Sequence, residues 1–98
     1  MLKFEWDENK NKSNIKKHDI DFNDAKEVFD DPKSIETEDT RKDYGESRFI
    51  IIGKVKNVIL TVVYTIRVNA IRLISARRSR KDERNSYNSQ QNNVSNGS

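Results

Sequence analysis

Hydrophobic and polar positions alternate at the start of the chain and then take on a helical spacing. Apolar residues alternate with charged ones over about residues 2–6, which predicts an opening strand. Asp7 can cap a helix from Glu8 to His18, in which Ile15 is the main apolar anchor. Because the apolar stripe of this helix is narrow, we expect it to lie at the surface.

A second helical pattern follows and ends before Asp31-Pro32, because proline cannot continue a helix. Residues 34–38 alternate weakly around Ile35 and indicate a short edge strand. Residues 38–46 are charged and contain Gly45, a composition typical of an exposed loop. The apolar residues of the second helix recur at helical spacing and predict one buried face: Phe22, Ala25, Val28 and Phe29.

Three segments rich in β-branched residues come next, at about 48–55, 58–65 and 70–77. The gaps between them are short enough only for hairpins, so these segments predict an antiparallel meander. Asn57 suits the first turn, and Asn69 is the residue expected at positive φ in the second.

The end of the chain predicts one more helix. Ser79 is the expected N-cap, with Asp82 three residues later, and the helix should run to about residue 88. Residues 89–98 are polar and predict a disordered tail. The predicted fold is α+β in a single domain over residues 1–88: an N-terminal strand, two helices, a three- to four-stranded antiparallel meander and a C-terminal helix.

Composition excludes several kinds of site. The chain has no cysteine and a single histidine, His18, which excludes disulfides, thiolate metal sites and multi-histidine metal sites. We therefore expect no cofactor, and chemistry that is metal-free or uses carboxylate-bound metal. The longest apolar runs fall far short of the about 20 residues of a membrane helix, and no signal peptide opens the chain. A cytoplasmic protein without membrane contact is expected.

Charge is divided unevenly along the chain. Residues 1–47 contain 9 Lys and Arg against 14 Asp and Glu, and residues 48–98 contain 10 against 2, within a net charge of +3. A basic half favours binding to phosphates by releasing counterions, while an acidic half can attract a basic protein partner. Solvated surfaces without any partner explain the same asymmetry equally well.

The strongest concentration of positive charge lies where the last predicted strand meets the final helix. Arg77 and Arg78 are adjacent there, on opposite sides of an extended backbone, so one of them is expected to face any single site. A guanidinium can hold two phosphate oxygens, which makes this pair the candidate for binding and activating the phosphate of a nucleic acid. Arg48 is a third candidate. The alternative is that these arginines simply face solvent.

The three glycines are too scattered to cradle phosphates, which disfavours nucleotide-binding loops. Cleavage of RNA by its own 2′-hydroxyl fits the residues better, since it needs charge stabilisation, a proton acceptor and a proton donor. His18, Tyr64 and Tyr87 are candidates for proton transfer or base stacking. The alternatives are a helix-terminal role for His18 and core positions for the tyrosines. Further basic residues are candidates for RNA binding: Lys10, Lys17, Arg72, Arg80 and Lys81.

Several motifs occur together at separations seen in one protein family. They are Phe4-Glu5-Trp6-Asp7, Lys17-His18, Asp31-Pro32, Arg48-Phe49, the stretch Ile71-Arg72-Leu73-Ile74-Ser75-Ala76-Arg77-Arg78, and Glu83-Arg84 with Tyr87. Through these motifs the chain resembles, from about Phe4 to Tyr87, the BrnT toxins of bacterial type II toxin-antitoxin modules. One departure is Val68-Asn69, with Ile66 before it, where relatives tend to have an acidic residue and a glycine; it puts only the shape of that turn in doubt.

The resemblance implies a RelE-like ribonuclease fold and cleavage of messenger RNA that arrests translation. It also implies neutralisation by a BrnA-type antitoxin with a ribbon-helix-helix domain, and binding of operator DNA through that antitoxin. RelE-like toxins carry a catalytic basic residue and a tyrosine in the last strand and the following helix, which here correspond to Arg77 or Arg78 and to Tyr87. The alternative from another functional class is a non-catalytic RNA-binding or corepressor module.

Overall fold

The computed structural model of the protein describes residues 3–40, 43 and 45–96, with side chains as far as residue 90. It confirms the α+β fold with an N-terminal strand, helices, an antiparallel meander and a C-terminal helix. The elements are β1 (Phe4–Glu5), α1 (Glu8–His18), α2 (Phe22–Ala25), a 3₁₀ helix (Lys26–Asp30), β2 (Ile35–Asp39), β3 (Arg48–Val55), β4 (Val58–Arg67), β5 (Ala70–Arg78) and α3 (Lys81–Asn96).

The strands form one five-stranded sheet in the order β1-β5-β4-β3-β2. Strands β2 to β5 are the predicted meander, each antiparallel to its neighbour. Strand β1 adds to the far edge of β5 in parallel, and only Phe4 and Glu5 pair with it. Within the described residues, no strand lies beside the edge of β5 beyond Arg72, which leaves its backbone groups to be satisfied in another way.

The core lies between one face of this sheet and the segment that contains α2 and the 3₁₀ helix. Phe22 and Val28 are fully buried there against Ile51 and Leu73 of the sheet. Gly53 lets the two layers approach, because a Cβ at this position would lie 3.1 Å from the Val28 carbonyl oxygen. The opposite face of the sheet is contacted by α3, whose Glu83 accepts a hydrogen bond from Thr61 of β4.

Helix α1 is attached to the core differently from the prediction. Ile15, the expected apolar anchor, is 38% exposed, so that prediction is wrong. The buried face is formed by Asn11 and Asn14, which are only 5% and 6% exposed. Both are buried because their amides satisfy backbone or side-chain groups of neighbouring elements.

The two hairpin turns follow the rules for two-residue loops. Lys56 and Asn57 both have positive φ, at 50° and 69°, as a type I′ turn requires, so the first turn is as predicted. In the second turn the residue at positive φ is Val68, at 50°, and the prediction for Asn69 is wrong. The pairing of Arg67 with Ala70 makes Val68 the first central residue, the only one that needs positive φ in a type II′ turn.

Other boundaries also differ from the predictions. Helix α3 runs to Asn96 rather than to about residue 88, because its sequence contains no glycine or proline to end it before Gly97. The division of the chain at residue 88 stays a prediction. Parts of the predicted opening strand and of the loop at 38–46 lie outside the described residues. Among the described helices, none is long and apolar enough to cross a membrane.

Candidate functional site

Several predicted site residues meet at one end of the sheet. Arg78, the last residue of β5, pairs with Leu60 of β4, and its Nη1 lies 3.5 Å from the carbonyl oxygen of His18 at the end of α1. A concavity of about 310 Å³ opens here. Each of its lining residues carries a basic side chain: Lys17, His18, Arg77, Arg78 and Arg80. We call it the basic concavity.

An asparagine holds α1 in this position. Asn14 donates from Nδ2 to the carbonyl oxygens of Ala76 (2.8 Å) and Ile20 (2.9 Å), and its Oδ1 accepts from the Ala76 N–H (3.1 Å). The side-chain amide thus pairs with β5 as a neighbouring strand would, on the edge that β1 does not reach. Because Asn14 is one turn before His18 and Ala76 two residues before Arg78, this contact sets their separation.

Arg77 is held by a carboxylate. Its Nη1 and Nη2 donate to the two oxygens of Glu83, at 2.7 and 2.8 Å. Glu83 also accepts from Thr61 Oγ1 at 3.1 Å and from the Arg80 N–H at 2.8 Å. The hydrogen bonds from Arg77, helped by those from Arg80 and Thr61, lower the pKa of Glu83 from 4.5 to about 2. The carboxyl is therefore ionised at neutral pH and far too weak a base to accept a proton efficiently.

This arrangement corrects the predicted start of the last helix. Ser79 is buried and its Oγ lies 2.7 Å from Thr61 Oγ1, so it does not cap α3. Instead Glu83 reaches back to the N–H of Arg80, which is the glutamate half of a capping box. Asp82, the expected partner, is exposed. A glutamate in the first turn of the helix was the signal available in the sequence.

The two adjacent arginines consequently differ in their electrostatic surroundings. Among the described residues, Arg78 has no carboxylate partner, and its guanidinium is exposed beside a backbone carbonyl. Arg77 shares its charge with Glu83 in a bidentate pair. Both border the basic concavity, but Arg78 is the better placed of the two to bind an anion from solution.

Arg48 and Arg72 lie away from the basic concavity. Ile52 of β3 pairs with Thr61 of β4, and Thr61 pairs with Arg77 of β5. Arg48 is four residues before Ile52, so it lies roughly 13 Å along the strand direction from Arg77. Its Nε lies 3.8 Å from Glu46. Arg72 pairs with Glu5 at 3.0 Å.

The remaining RNA-binding candidates divide between two places. Lys17 and Arg80 line the basic concavity. Lys10 is exposed near the start of α1, and Lys81 is exposed at the first residue of α3, and neither lines that concavity.

The two candidate tyrosines have buried rings and bonded hydroxyls. Tyr64 stacks on Phe49 and donates to Glu36; burial and that carboxylate raise its pKa. Tyr87 donates to Asp31 at 2.7 Å, and burial together with Asp31 raises its pKa to about 12. Tyr87 lines a different concavity, of about 480 Å³. The structure does not bring either tyrosine into the basic concavity.

The hydrogen bonds that Glu83 accepts from Arg77, Thr61 and Arg80 predict a measurable dependence of stability on pH. Folding lowers the pKa of this carboxyl, so the ionised Glu83 stabilises the folded state fully above about pH 4.5. This stabilisation is lost as the pH falls toward about 2. We expect Glu83→Gln to lower the free energy of unfolding by roughly 2 kcal/mol near neutral pH, and by little near pH 2. Urea denaturation of both proteins across this range measures the difference.

Asp82→Asn is the matched control, since it removes a neighbouring carboxylate that is 80% exposed and 3.9 Å from Arg80. Its effect should stay within about 0.5 kcal/mol at every pH. If Glu83→Gln lowered the free energy of unfolding by the same amount at low pH as at neutral pH, the glutamate would act through its shape rather than its charge.

Comparison with known proteins agrees with the resemblance noted in the sequence. No curated protein matches the chain. The family model described as ribonuclease toxin, BrnT, of type II toxin-antitoxin system matches residues 6–83, which include α1, the meander and the Arg77–Glu83 pair. The chain therefore belongs to the BrnT family of ribonuclease toxins of type II toxin-antitoxin systems.

Proposed function

We propose that the protein is a metal-independent endoribonuclease that cleaves messenger RNA in the cytoplasm, with the basic concavity as its active site. The observation that carries this proposal is the lining of that concavity, in which every residue is basic. Clustered positive charge in a recess focuses the field on an approaching phosphate. It also supplies the charge stabilisation that a metal ion would otherwise provide to a pentacoordinate phosphate.

The reaction that fits this site is transesterification. The 2′-oxygen of the RNA attacks the adjacent phosphorus as its proton passes to a base, and the bond from phosphorus to the 5′-oxygen breaks as that oxygen takes a proton. Arg78 would bind the non-bridging oxygens of the reacting phosphate. His18 would take the proton from the 2′-hydroxyl and return it to the leaving 5′-oxygen, since an imidazole nitrogen can both accept and donate a proton. Lys17 and Arg80 would hold the flanking phosphates.

The other candidates receive supporting roles. Glu83 holds Arg77 next to Arg78 and keeps β5 and the start of α3 in register. Tyr64 and Tyr87 keep their protons at neutral pH and donate hydrogen bonds to the carboxylates of Glu36 and Asp31. Arg48 lies at the other end of the sheet. We therefore assign these residues to the architecture that carries the site.

Incubation of the purified protein with a defined RNA in excess EDTA tests this function. We expect cleavage to continue in the chelator and to leave a 2′,3′-cyclic phosphate and a 5′-hydroxyl, both of which can be identified by end-specific enzymes. Binding of RNA without strand scission would support the non-catalytic alternative. Cleavage that requires an added divalent cation would overturn metal independence.

The partner implied by the family is an antitoxin, and we propose that it is of the BrnA type, with a ribbon-helix-helix domain through which the complex reaches operator DNA. If the antitoxin inhibits by covering the basic concavity, it and RNA must exclude each other. Fluorescence anisotropy of labelled RNA during titration with antitoxin measures this competition. Simultaneous binding without mutual weakening would place the antitoxin elsewhere.

A further inference from the structure

A second, smaller concavity adjoins the basic concavity and shares Arg78 with it. It has a volume of about 160 Å³ and lies between the end of α1 and the β3–β4 turn. Ile20, Val55 and Leu60 line it and are buried, while Val58 is 37% exposed. The volume is well below the about 300–1,000 Å³ of pockets that hold a drug-sized ligand, so the recess suits a single ring system.

Two carboxylates and an ammonium group complete the lining of this recess. Asp19 is the C-cap that follows α1, Asp24 lies in α2, and Lys56 is in the β3–β4 turn. Within the described part of the chain, neither aspartate side chain has a hydrogen bond or an ion pair. Asp21, between them in sequence, is by contrast occupied by Asn11 and Asn23.

Acidic groups beside a phosphate site oppose binding of the RNA backbone, so they favour an RNA ligand only if they accept hydrogen bonds from it. Bases splayed out of single-stranded RNA offer such donors on their Watson–Crick edges. Guanine presents two adjacent donors, N1–H and the N2 amino group, both of which carboxylate oxygens can accept. Adenine and cytosine place an acceptor nitrogen beside their amino group, and uracil offers a single donor between two acceptors.

The rest of the recess also fits guanine. Its O6 and N7 are acceptors that a cationic side chain can bind, and Lys56 is on the lining for this purpose. Val58, which is 37% exposed, offers an apolar surface to the ring face beside the buried Ile20, Val55 and Leu60. Arg78 lines both the recess and the basic concavity, so a base here would belong to a nucleotide next to the reacting phosphate.

We propose that this recess binds a guanine base adjacent to the scissile phosphate and sets the sequence preference of the enzyme, an inference that rests on the proposed nuclease function. Asp24 and Asp19 accept the two Watson–Crick donors, and Lys56 donates to the opposite edge.

Binding of a short RNA that cannot be cleaved tests the recess separately from catalysis. The RNA has one guanine in a run of uridines, and its central nucleotides have 2′-deoxy sugars so that they cannot be cleaved. A second version has inosine in place of guanine. Inosine differs only in lacking the N2 amino group. We expect the guanine version to bind about tenfold more tightly, as loss of one hydrogen bond to a charged acceptor predicts. Equal affinities would overturn the proposal.

The Asp19→Asn/Asp24→Asn double variant identifies the acceptors. Asparagine tolerates the left-handed backbone of residue 19, where φ is 58°, so the fold should be kept. We expect the preference for guanine over inosine to fall to about twofold or less, while the inosine RNA is still bound through its phosphates at the basic concavity. Glu38→Gln is the matched control, because it removes one exposed carboxylate from edge strand β2. A double variant that keeps the full preference would exclude these carboxylates.

The nuclease proposal and the guanine proposal fail in different ways. If the protein bound the guanine RNA preferentially but left an all-ribose RNA uncleaved, only the catalytic function would be rejected. Cleavage distributed equally over all four bases would reject only the recess.

Discussion

Replacement of Arg78 by alanine is expected to lower the rate of RNA cleavage by about 10²–10³-fold, the usual cost of removing one preorganised group that stabilises the charge of a transition state. Arg78 is exposed, lines the basic concavity and lacks a carboxylate partner among the described residues. The hydrogen bond that its guanidinium makes within the described part of the chain, to the His18 carbonyl, is long at 3.5 Å, so the fold should tolerate the change. Single-turnover cleavage of a labelled RNA measures the rate, and thermal unfolding verifies the fold.

Two further variants make this result specific. Arg67→Ala removes the same charge at the other end of β4, where the side chain is 52% exposed and 3.4 Å from Glu46, and should change the rate by less than about twofold. Arg78→Lys keeps the charge but loses the planar guanidinium that can hold two phosphate oxygens at once. Its cleavage rate should lie between those of the wild type and the alanine variant. If Arg78→Ala and Arg67→Ala proved equally active, Arg78 would not bind the reacting phosphate.

The parts of the fold that were predictable depend on local rules. Helix α1 begins after Asp7, whose carboxylate accepts from the N–H groups of Asn9 and Lys10, and it ends at His18 as expected. Strand β3 also has the predicted bounds, because its apolar run ends in a two-residue turn. The second helix could be placed but not subdivided: it is α-helical only to Ala25 and then tightens into the 3₁₀ form.

The site depended on pairings that sequence spacing does not reveal. Arg48 and Arg78 are both at the end of a strand, yet β3 and β5 run in the same direction, so the first residue of one and the last of the other lie at opposite ends of the sheet. Glu83 could be recognised as a capping residue but not as the partner of Arg77. Asn14 was among the residues that match the family, but its spacing did not predict burial, since an asparagine on a helix normally indicates a solvated face.

Asn14→Ala is expected to lower the free energy of unfolding by about 3 kcal/mol, because it leaves three buried backbone groups without their hydrogen-bond partner. The N–H and C=O of Ala76 and the C=O of Ile20 all bond to this amide, and Ala76 and Ile20 are 0% and 7% exposed. An alanine side chain cannot replace these bonds, and the space it leaves is next to the sheet. Urea denaturation monitored through Trp6 fluorescence measures the loss.

Asn9→Ala is the matched control, since Asn9 is exposed on the same helix and the same substitution there should be neutral or slightly stabilising. Asn14→Asp separates donors from acceptor: it keeps an oxygen for the Ala76 N–H but loses both donated bonds, so it should destabilise at least as much as alanine. Because the same amide fixes His18 relative to Arg78, cleavage by either Asn14 variant should fall even at temperatures where it remains folded. An Asn14→Ala protein as stable and active as Asn9→Ala would show that α1 is held to β5 by other contacts.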